Sequence, residues 1–235
     1  MSEPTNHPAI ILEVIACSVD DALAAQRGGA RRIELISRFD LGGLTPPLEL
    51  VRDVVRSVSI PVRVMLRESE NFDVCDVSER ARLCATAREM AETGIDGLVC
   101  GFLCDRDIDH KLLACVLDSA SNLRVTFHRA FEQLRDPMAA IQRLKPYRQI
   151  DRILTSGTGA TRAQRIAQLG ACERAAGPEM TILAGGGMDA ATVKAIRRQT
   201  PVREFHVGRG VRRPATVDGA VDAALVKEWL GYLED

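Results

Sequence analysis

Residues 10–37 read IILEVIACSVDDALAAQRGGARRIELIS. In the first run, Ile11, Glu13 and Ile15 share one face of a strand, while Leu12 and Val14 take the other. Ser18 with Asp21 three residues on resembles a helix-opening capping box, and Gly28-Gly29 stops that helix. A second strand-like run follows at Arg32–Ser37, with Arg32, Glu34 and Ile36 on one face and Ile33 and Leu35 opposite. Strand, helix and strand within 28 residues make a βαβ unit with a parallel pair.

The same unit recurs along the chain. Further strands are predicted at Pro61–Arg67, Gly97–Leu103, Arg124–His128, Ile150–Ser156, Thr181–Gly185 and Glu204–Gly208. Helices are predicted near 18–27, 46–57, 77–92, 110–120, 136–145, 160–175, 189–199 and 216–231. Asp136-Pro137 sets an N-cap before proline at the first helical position, and Thr93-Gly94 ends the third helix. Strand ends recur about every 28 residues, close to the length a βαβ repeat needs. Eight such repeats predict an α/β chain folded as one TIM-like (β/α)8 barrel domain over residues 9–235, after an N-terminal tail of residues 1–8. An open doubly wound sheet is the alternative, but it typically uses five or six strands.

Composition narrows the function classes. The 235 residues are 46% apolar and 27% charged, the balance of a globular protein with a sizeable core. Thirty-one Lys+Arg against 32 Asp+Glu leave a formal charge of −1, which argues against nucleic acid as a partner. No apolar run is long enough to span a membrane, and the start lacks a signal-peptide pattern, so a cytoplasmic protein is expected. Seven cysteines at irregular spacings, without a secretion signal, predict mostly reduced packing residues and no structural zinc site.

Both faces of a barrel strand are normally apolar, so polar residues at inward positions carry information. If the aliphatic faces meet the helices, the lumen receives Glu13, Glu34, Arg63, Arg67, His128, Glu204 and His206. Glu34, Arg67, His128, Ser156 and His206 lie near C-terminal strand ends, where barrel active sites form, and Arg129 is one step beyond. Carboxylates, imidazoles and guanidiniums there suit acid–base work on an anionic substrate. An equal alternative for Glu13 is a lumen ion pair with Arg63, and Glu204 and Arg152 are expected to be structural charges at the bottom. Glycine loops follow three strands: Thr155-Ser156-Gly157-Thr158-Gly159, Gly185-Gly186-Gly187 and Gly208-Arg209-Gly210. With Arg209 they predict an anion cradle.

These residues also carry a family resemblance. Ile33-Glu34-Leu35, Gly42-Gly43-Leu44-Thr45-Pro46, Val125-Thr126-Phe127-His128-Arg129-Ala130-Phe131, Asp151-Arg152-Ile153-Leu154-Thr155-Ser156-Gly157, Ala184-Gly185-Gly186-Gly187 and Glu204-Phe205-His206 occur in that order. Over roughly residues 11–208 the chain resembles the CutC family, linked to copper homeostasis and built as a TIM-like barrel. The resemblance implies a cytosolic copper-handling protein and places metal-binding cysteines after the first-strand Glu-Val and the second-strand Glu-Leu. Here those positions are Ile15 and Ile36, which cannot ligate copper. Cys17, Cys100, Cys104 and Met65 are other sulfur donors near strand ends. The loop Arg67-Glu68-Ser69-Glu70-Asn71-Phe72 is acidic where the family commonly carries Pro-Arg and glycines.

Two readings follow. One is the copper-handling protein that the resemblance implies. The other is a barrel enzyme, a lyase, isomerase or aldolase-type catalyst acting on a small anionic or phosphorylated molecule. In that reading Glu34 and His128 act as base and acid, assisted by Glu13 and His206. Arg67, Arg129, Ser156, Gly185, Gly186, Gly187 and Arg209 bind the substrate. A divalent ion held by Glu13, Glu34, His128 and His206 is a variant of it, with a donor set better suited to zinc, manganese or iron than to copper. No lysine sits at a predicted strand end, which disfavours Schiff-base catalysis. Leu225, Trp229 and Leu230 on the last helix are expected either to cap the barrel or to form a homodimer surface.

Overall fold

The computed structural model describes residues 9–234. The eight barrel strands are β1 (Ile11–Ala16), β2 (Arg32–Leu35), β3 (Val62–Met65), β4 (Gly97–Cys100), β5 (Arg124–Phe127), β6 (Ile150–Thr155), β7 (Thr181–Ala184) and β8 (Glu204–Val207). Each pairs in parallel with the next in chain order, and β8 pairs with β1 to close the ring. The helices are α1 (Val19–Arg27), α2 (Leu48–Ser57), α3 (Val77–Ala91), α4 (His110–Ser119), α5 (Pro137–Leu144), α6 (Arg162–Ala176), α7 (Ala190–Gln199) and α8 (Ala223–Glu234). The predicted (β/α)8 barrel is therefore the observed fold. The predicted tail, residues 1–8, lies outside the described residues.

Local chemistry starts the helices where expected. Asp136 accepts a hydrogen bond from the Ala139 N–H with Pro137 at the first helical position, and Thr161 with Gln164 forms a complete capping box at α6. At α1 the box is half formed. Ser18 Oγ accepts from the Asp21 N–H at 3.1 Å, but the Asp21 carboxylate instead accepts from the N–H groups of Cys17 and Val221 and from Arg212. That carboxylate also explains the shifted start of the last helix, predicted from residue 216. By pinning Val221 it holds residues 212–213 and 220–221 as an antiparallel hairpin, so α8 begins only after Asp222. The fourth strand likewise stops at Cys100 rather than continuing to Leu103, which pairs in a short hairpin with Ile108.

Two apolar layers follow from strand alternation. Leu12, Val14, Ile33, Leu35, Val62 and Val64 join the large core between strands and helices, whereas Ile15, Ile36, Met65 and Val99 form a separate small cluster inside the ring. Of the two roles expected for the last helix, capping the barrel fits Trp229, which is buried and donates from Nε1 to the Gly210 carbonyl at 3.1 Å; Leu225 and Leu230 pack against the same core. Of the seven cysteines, Cys84 and Cys115 are joined as a disulfide between α3 and α4 and five are free. The sequence spacing carried no sign of that pairing.

Charge fills the lower lumen. Arg32 bridges Glu13 and Glu204, and its Nη2 lies 2.7 Å from Glu204 Oε2. Arg152 holds the same Glu204 carboxylate at 2.6 and 2.9 Å and also meets Asp151. Asp151 in turn takes both terminal nitrogens of Arg63 at 2.6 and 2.8 Å. Arg63 completes its bonds on Asp96 and Thr126, both at 2.9 Å. The expected Glu13–Arg63 pair is thus corrected. The register sets Glu13 against Arg32, while Arg63 reaches the bottom of the ring. Glu204 and Arg152 are structural charges there, as expected.

Because Arg32 is 3% exposed and compensates two buried carboxylates, its loss leaves both uncompensated. Arg32→Met is expected to lower unfolding free energy by about 3–5 kcal/mol, read by urea denaturation at pH 7. A change below about 1 kcal/mol would show that the ladder is not what holds the lumen.

Candidate functional site

At the C-terminal ends of the strands lies a pocket of about 450 Å³. Glu34, His128 and His206 form its buried end, at 2, 3 and 8% exposure. Ile15, Phe39, Met65, Phe72, Leu154 and Trp229 wall it, and Arg67, Arg129, Arg209, Gly186 and Gly187 line it toward solvent. Thus Glu34, His128 and His206, predicted from three separate strands, converge on one cavity.

The three deep groups are held differently. His206 Nδ1 sits 2.8 Å from Glu13 Oε1, and its Nε2 lies 3.4 Å from Glu34 Oε2. Glu13 has spent both carboxylate oxygens, on Arg32 and His206, and does not line the pocket. Burial alone would raise the Glu13 carboxyl, but Arg32 and His206 outweigh it and hold Glu13 ionised far below the usual range. Burial would likewise make His206 harder to protonate, yet the charge of Glu34 and the Glu13 contact raise it above the ordinary histidine value. Glu34 is left with less. Burial raises its carboxyl to about 7, only partly opposed by His206, and Oε1 has no hydrogen-bond partner.

His128 presents the opposite case. Its Nδ1 accepts the Ala130 N–H at 3.3 Å, so that nitrogen carries no proton and the neutral ring bears its hydrogen on Nε2. Nε2 is buried and unpartnered. Burial, with the charge of Arg67 nearby, lowers the imidazole to about 3. Gly101 makes room for this ring, since a Cβ there would stand 2.7 Å from Nδ1.

Among the guanidiniums, Arg67 bonds only loop carbonyls, Ser69 O at 2.7 Å and Glu70 O at 2.5 Å, and lies over the Phe72 ring. Phe72 also packs on His128, with centroids 4.9 Å apart. Of the loop's two carboxylates, Glu68 turns away to pair with Arg82 of α3, while Glu70 acts on Arg67 through its charge without forming an ion pair. Among the described residues neither Arg67 nor Arg209 makes an ion pair. Arg129 does, with Glu132 at 2.7 Å. Glu132, which sequence reasoning missed, also accepts from the Ser156 N–H and hydroxyl at 2.6 and 2.9 Å. Ser156 is therefore a brace for Glu132 and does not line the pocket. An Arg and a Glu at i,i+3 were the one available signal of that brace.

Of the predicted glycine cradle, Gly186 and Gly187 line the pocket with positive φ, while Gly185 lies beneath it. A Cβ on Gly185 would stand 2.7 Å from Leu154 and 3.1 Å from His206. Of the pocket's aromatic wall, Trp229 was among the residues expected to cap the barrel, whereas Phe39 and Phe72 had no sequence signal because they come from loops.

The four-ligand metal set of Glu13, Glu34, His128 and His206 is not formed. Among the described residues no group of three or more His, Cys, Asp or Glu is arranged to hold a metal ion. Glu13 and His206 are engaged with each other, and Nδ1 of His128 is engaged with backbone. Sulfur donors fit copper no better. Ile15 and Ile36 stand where the family resemblance places cysteines. Cys100 belongs to the outer core and burial pushes its thiol up to about 12, and Cys104 is exposed outside the pocket. Burial also raises Cys17, whose Sγ lies 3.6 Å from Arg212. Among the described residues, the sulfur atoms that reach the lining are the thioethers of Met65 and Met188.

The CutC family model matches residues 10–211. A CutC family protein of Xanthomonas campestris is 36% identical over 196 residues, covering 83% of this chain and 81% of the relative. The human copper homeostasis protein cutC homolog is 35% identical over 197 residues, covering 83% of this chain and 72% of that protein. The crystal structure of CutC from Streptococcus agalactiae superposes with a TM-score of 0.77 at 26% identity, over 85% of this chain and 98% of that one.

The site makes a pH-dependent contribution to stability. Glu34 in the fold keeps its proton up to about 7, against an ordinary value of 4.5, so the penalty linked to its ionisation is absent below pH 4.5 and grows as pH rises toward 7. Glu34→Gln is expected to match the parent in stability at pH 4 and exceed it by up to about 3 kcal/mol at pH 8, read by urea unfolding across that range. A constant difference at all pH values would contradict the raised carboxyl.

Proposed function

The chain belongs to the CutC family, and from that premise we propose that its barrel binds a small anionic organic molecule in the mouth pocket and performs acid–base chemistry on it. One observation carries this reading: two buried polar atoms, Glu34 Oε1 and His128 Nε2, lack partners and belong to residues that line the same pocket. A buried polar group left unsatisfied costs roughly 1–3 kcal/mol, so an arrangement keeping two of them together calls for a ligand that satisfies both. Arg67 and Arg209, without acidic partners, supply the attraction for negative charge. The aromatic and aliphatic wall excludes water and strengthens those contacts.

Copper as cargo, which the human relative's name associates with that protein, finds weaker support in the donors here. Soft Cu(I) favours thiolates, and the pocket offers two thioethers and no cysteine. The raised carboxyl of Glu34 suits proton transfer near neutrality instead.

Two titrations separate these readings. Inorganic phosphate, followed by calorimetry, is expected to bind the parent protein, and Arg67→Met or Arg209→Met should each weaken it about tenfold or more. Cu(I) presented against a competing chelator is expected to show no site that depends on Cys17 or Cys100. Stoichiometric copper lost on Cys17→Ser, with phosphate binding indifferent to both arginines, would reverse the assignment.

A further inference from the structure

The two unsatisfied atoms differ in kind, and the difference specifies the chemistry they serve. Glu34 Oε1 is a carboxylate oxygen with a free lone pair, since Oε2 faces His206 at 3.4 Å. His128 Nε2 is a donor, because the Ala130 N–H occupies Nδ1 and leaves the ring's one hydrogen at the pocket side. The site therefore joins one proton acceptor to one fixed neutral donor. An ester or phosphoester hydrolysis would need a nucleophile or a positioned water with an acid for the leaving group. Ser156, expected to bind substrate, has its hydroxyl engaged by Glu132 and does not line the pocket. A carbon acid beside a carbonyl needs only a base at the C–H and a donor at the carbonyl oxygen.

We infer that the pocket enolises a small carbonyl compound that carries one anionic group, with Glu34 Oε1 placed for the C–H proton and His128 Nε2–H for the carbonyl oxygen. This deepens, and rests on, the small-anion reading above. In the step, Glu34 takes the proton from the carbon next to the carbonyl. The C–H bonding pair becomes a C=C bond, and the carbonyl π pair moves onto oxygen, where the His128 N–H stabilises it. Return of that proton to the same face of the same carbon restores the reactant; where that carbon carries a hydroxyl, the hydroxyl proton passes to the former carbonyl oxygen and Glu34 returns its proton to the former carbonyl carbon, giving the isomer. No oxidant, reductant or second reactant enters the balance. Arg67 or Arg209 holds the anionic group, and His206 keeps Glu34 oriented through Oε2.

Charge around the pair is consistent with this division. Glu34 faces His206 of β8, Glu13 of β1 and Arg32 of β2, whereas His128 faces Arg67 and Arg129. The carboxyl thus sits beside an imidazole that stabilises its ionised form, and the imidazole sits beside cations that keep it neutral. A neutral donor is the better partner for an enolate whose proton must soon return, because it does not surrender its own.

Oxalate, a planar dianion that mimics an enolate bearing a carboxylate, is the probe. Calorimetry at pH 8 in buffers of different ionisation enthalpy reads both affinity and proton uptake. Parent protein is expected to bind oxalate at least tenfold tighter than inorganic phosphate, with uptake of close to one proton as Glu34 is neutralised beside the enolate-like oxygen. Glu34→Gln, which resembles the protonated carboxyl, should keep the binding and abolish the uptake. His128→Ala should lose about 10- to 100-fold in affinity, and His128→Gln, which retains a donor, should recover part of it. Circular dichroism checks that each variant is folded. Oxalate that binds without proton uptake, or indifferently to both positions, overturns the enolisation. Phosphate binding at the arginines without oxalate binding overturns it as well but leaves the small-anion reading standing; binding of neither brings down both.

Discussion

A carboxylate or guanidinium withdrawn from water must meet its opposite close at hand, and the lumen of this barrel is registered around that demand. The pairing of β1 with β2 sets Glu13 opposite Arg32, and the pairing of β1 with β8 sets Glu13 opposite His206. From Arg32 the compensation passes down through Glu204, Arg152 and Asp151 to Arg63 and Asp96. Slipping any of these strands by one residue would turn its charges under the helices and its aliphatic residues into the ring. The ladder therefore specifies register at the same time as it fills space that branched aliphatic residues fill in other barrels.

Compensation runs out at the top, and that is where the site begins. His206 has two ring nitrogens and two carboxylate neighbours, but the contacts are unequal: 2.8 Å to Glu13 and 3.4 Å to Glu34. Glu13 also owns Arg32, so it ionises readily, and Glu34 receives only the weaker share of the imidazole. What remains for Glu34 is burial, which keeps its proton near neutrality. The same burial acts on His128 with the opposite sign, since an imidazole is charged when protonated and a carboxyl when not. One environment thus yields a carboxyl that titrates close to pH 7 and an imidazole that stays neutral there.

Much of this was legible in the chain because it depends on periodicity. Alternation in Ile11–Ala16 and Arg32–Leu35 revealed which residues turn inward, and the caps at Ser18 and Asp136 marked helix starts. Partner choice was not legible. Parity put Glu13 and Arg63 in one lumen, but only the register of β1 against β2, which sets Glu13 opposite Arg32, shows that Arg32 is the nearer cation. Ser156 was read as a ligand group because it ends a strand, yet its hydroxyl is claimed by Glu132, a residue from the loop after β5. The late start of α8 was hidden for a similar reason, since Asp21, about 200 residues away in sequence, takes the Val221 N–H. Long-range side-chain-to-backbone bonds leave no periodic trace.

The inner apolar cluster gives the isoleucines at 15 and 36 a role of their own. Ile15 is the register partner of Glu34 across β1 and β2, and Ile36 follows Glu34 by two residues on the same face. With Met65 and Val99 they form the dry patch adjoining the carboxyl. A thiol at either position would bring a second titratable group, or a metal ligand, against Glu34 and would compete for its charge. Isoleucine does neither; it lowers the polarity around the carboxyl and so favours the protonated form. The two residues that stand where the family resemblance places cysteines are thus part of the apolar cluster beside Glu34, and they contribute to the burial that raises its carboxyl.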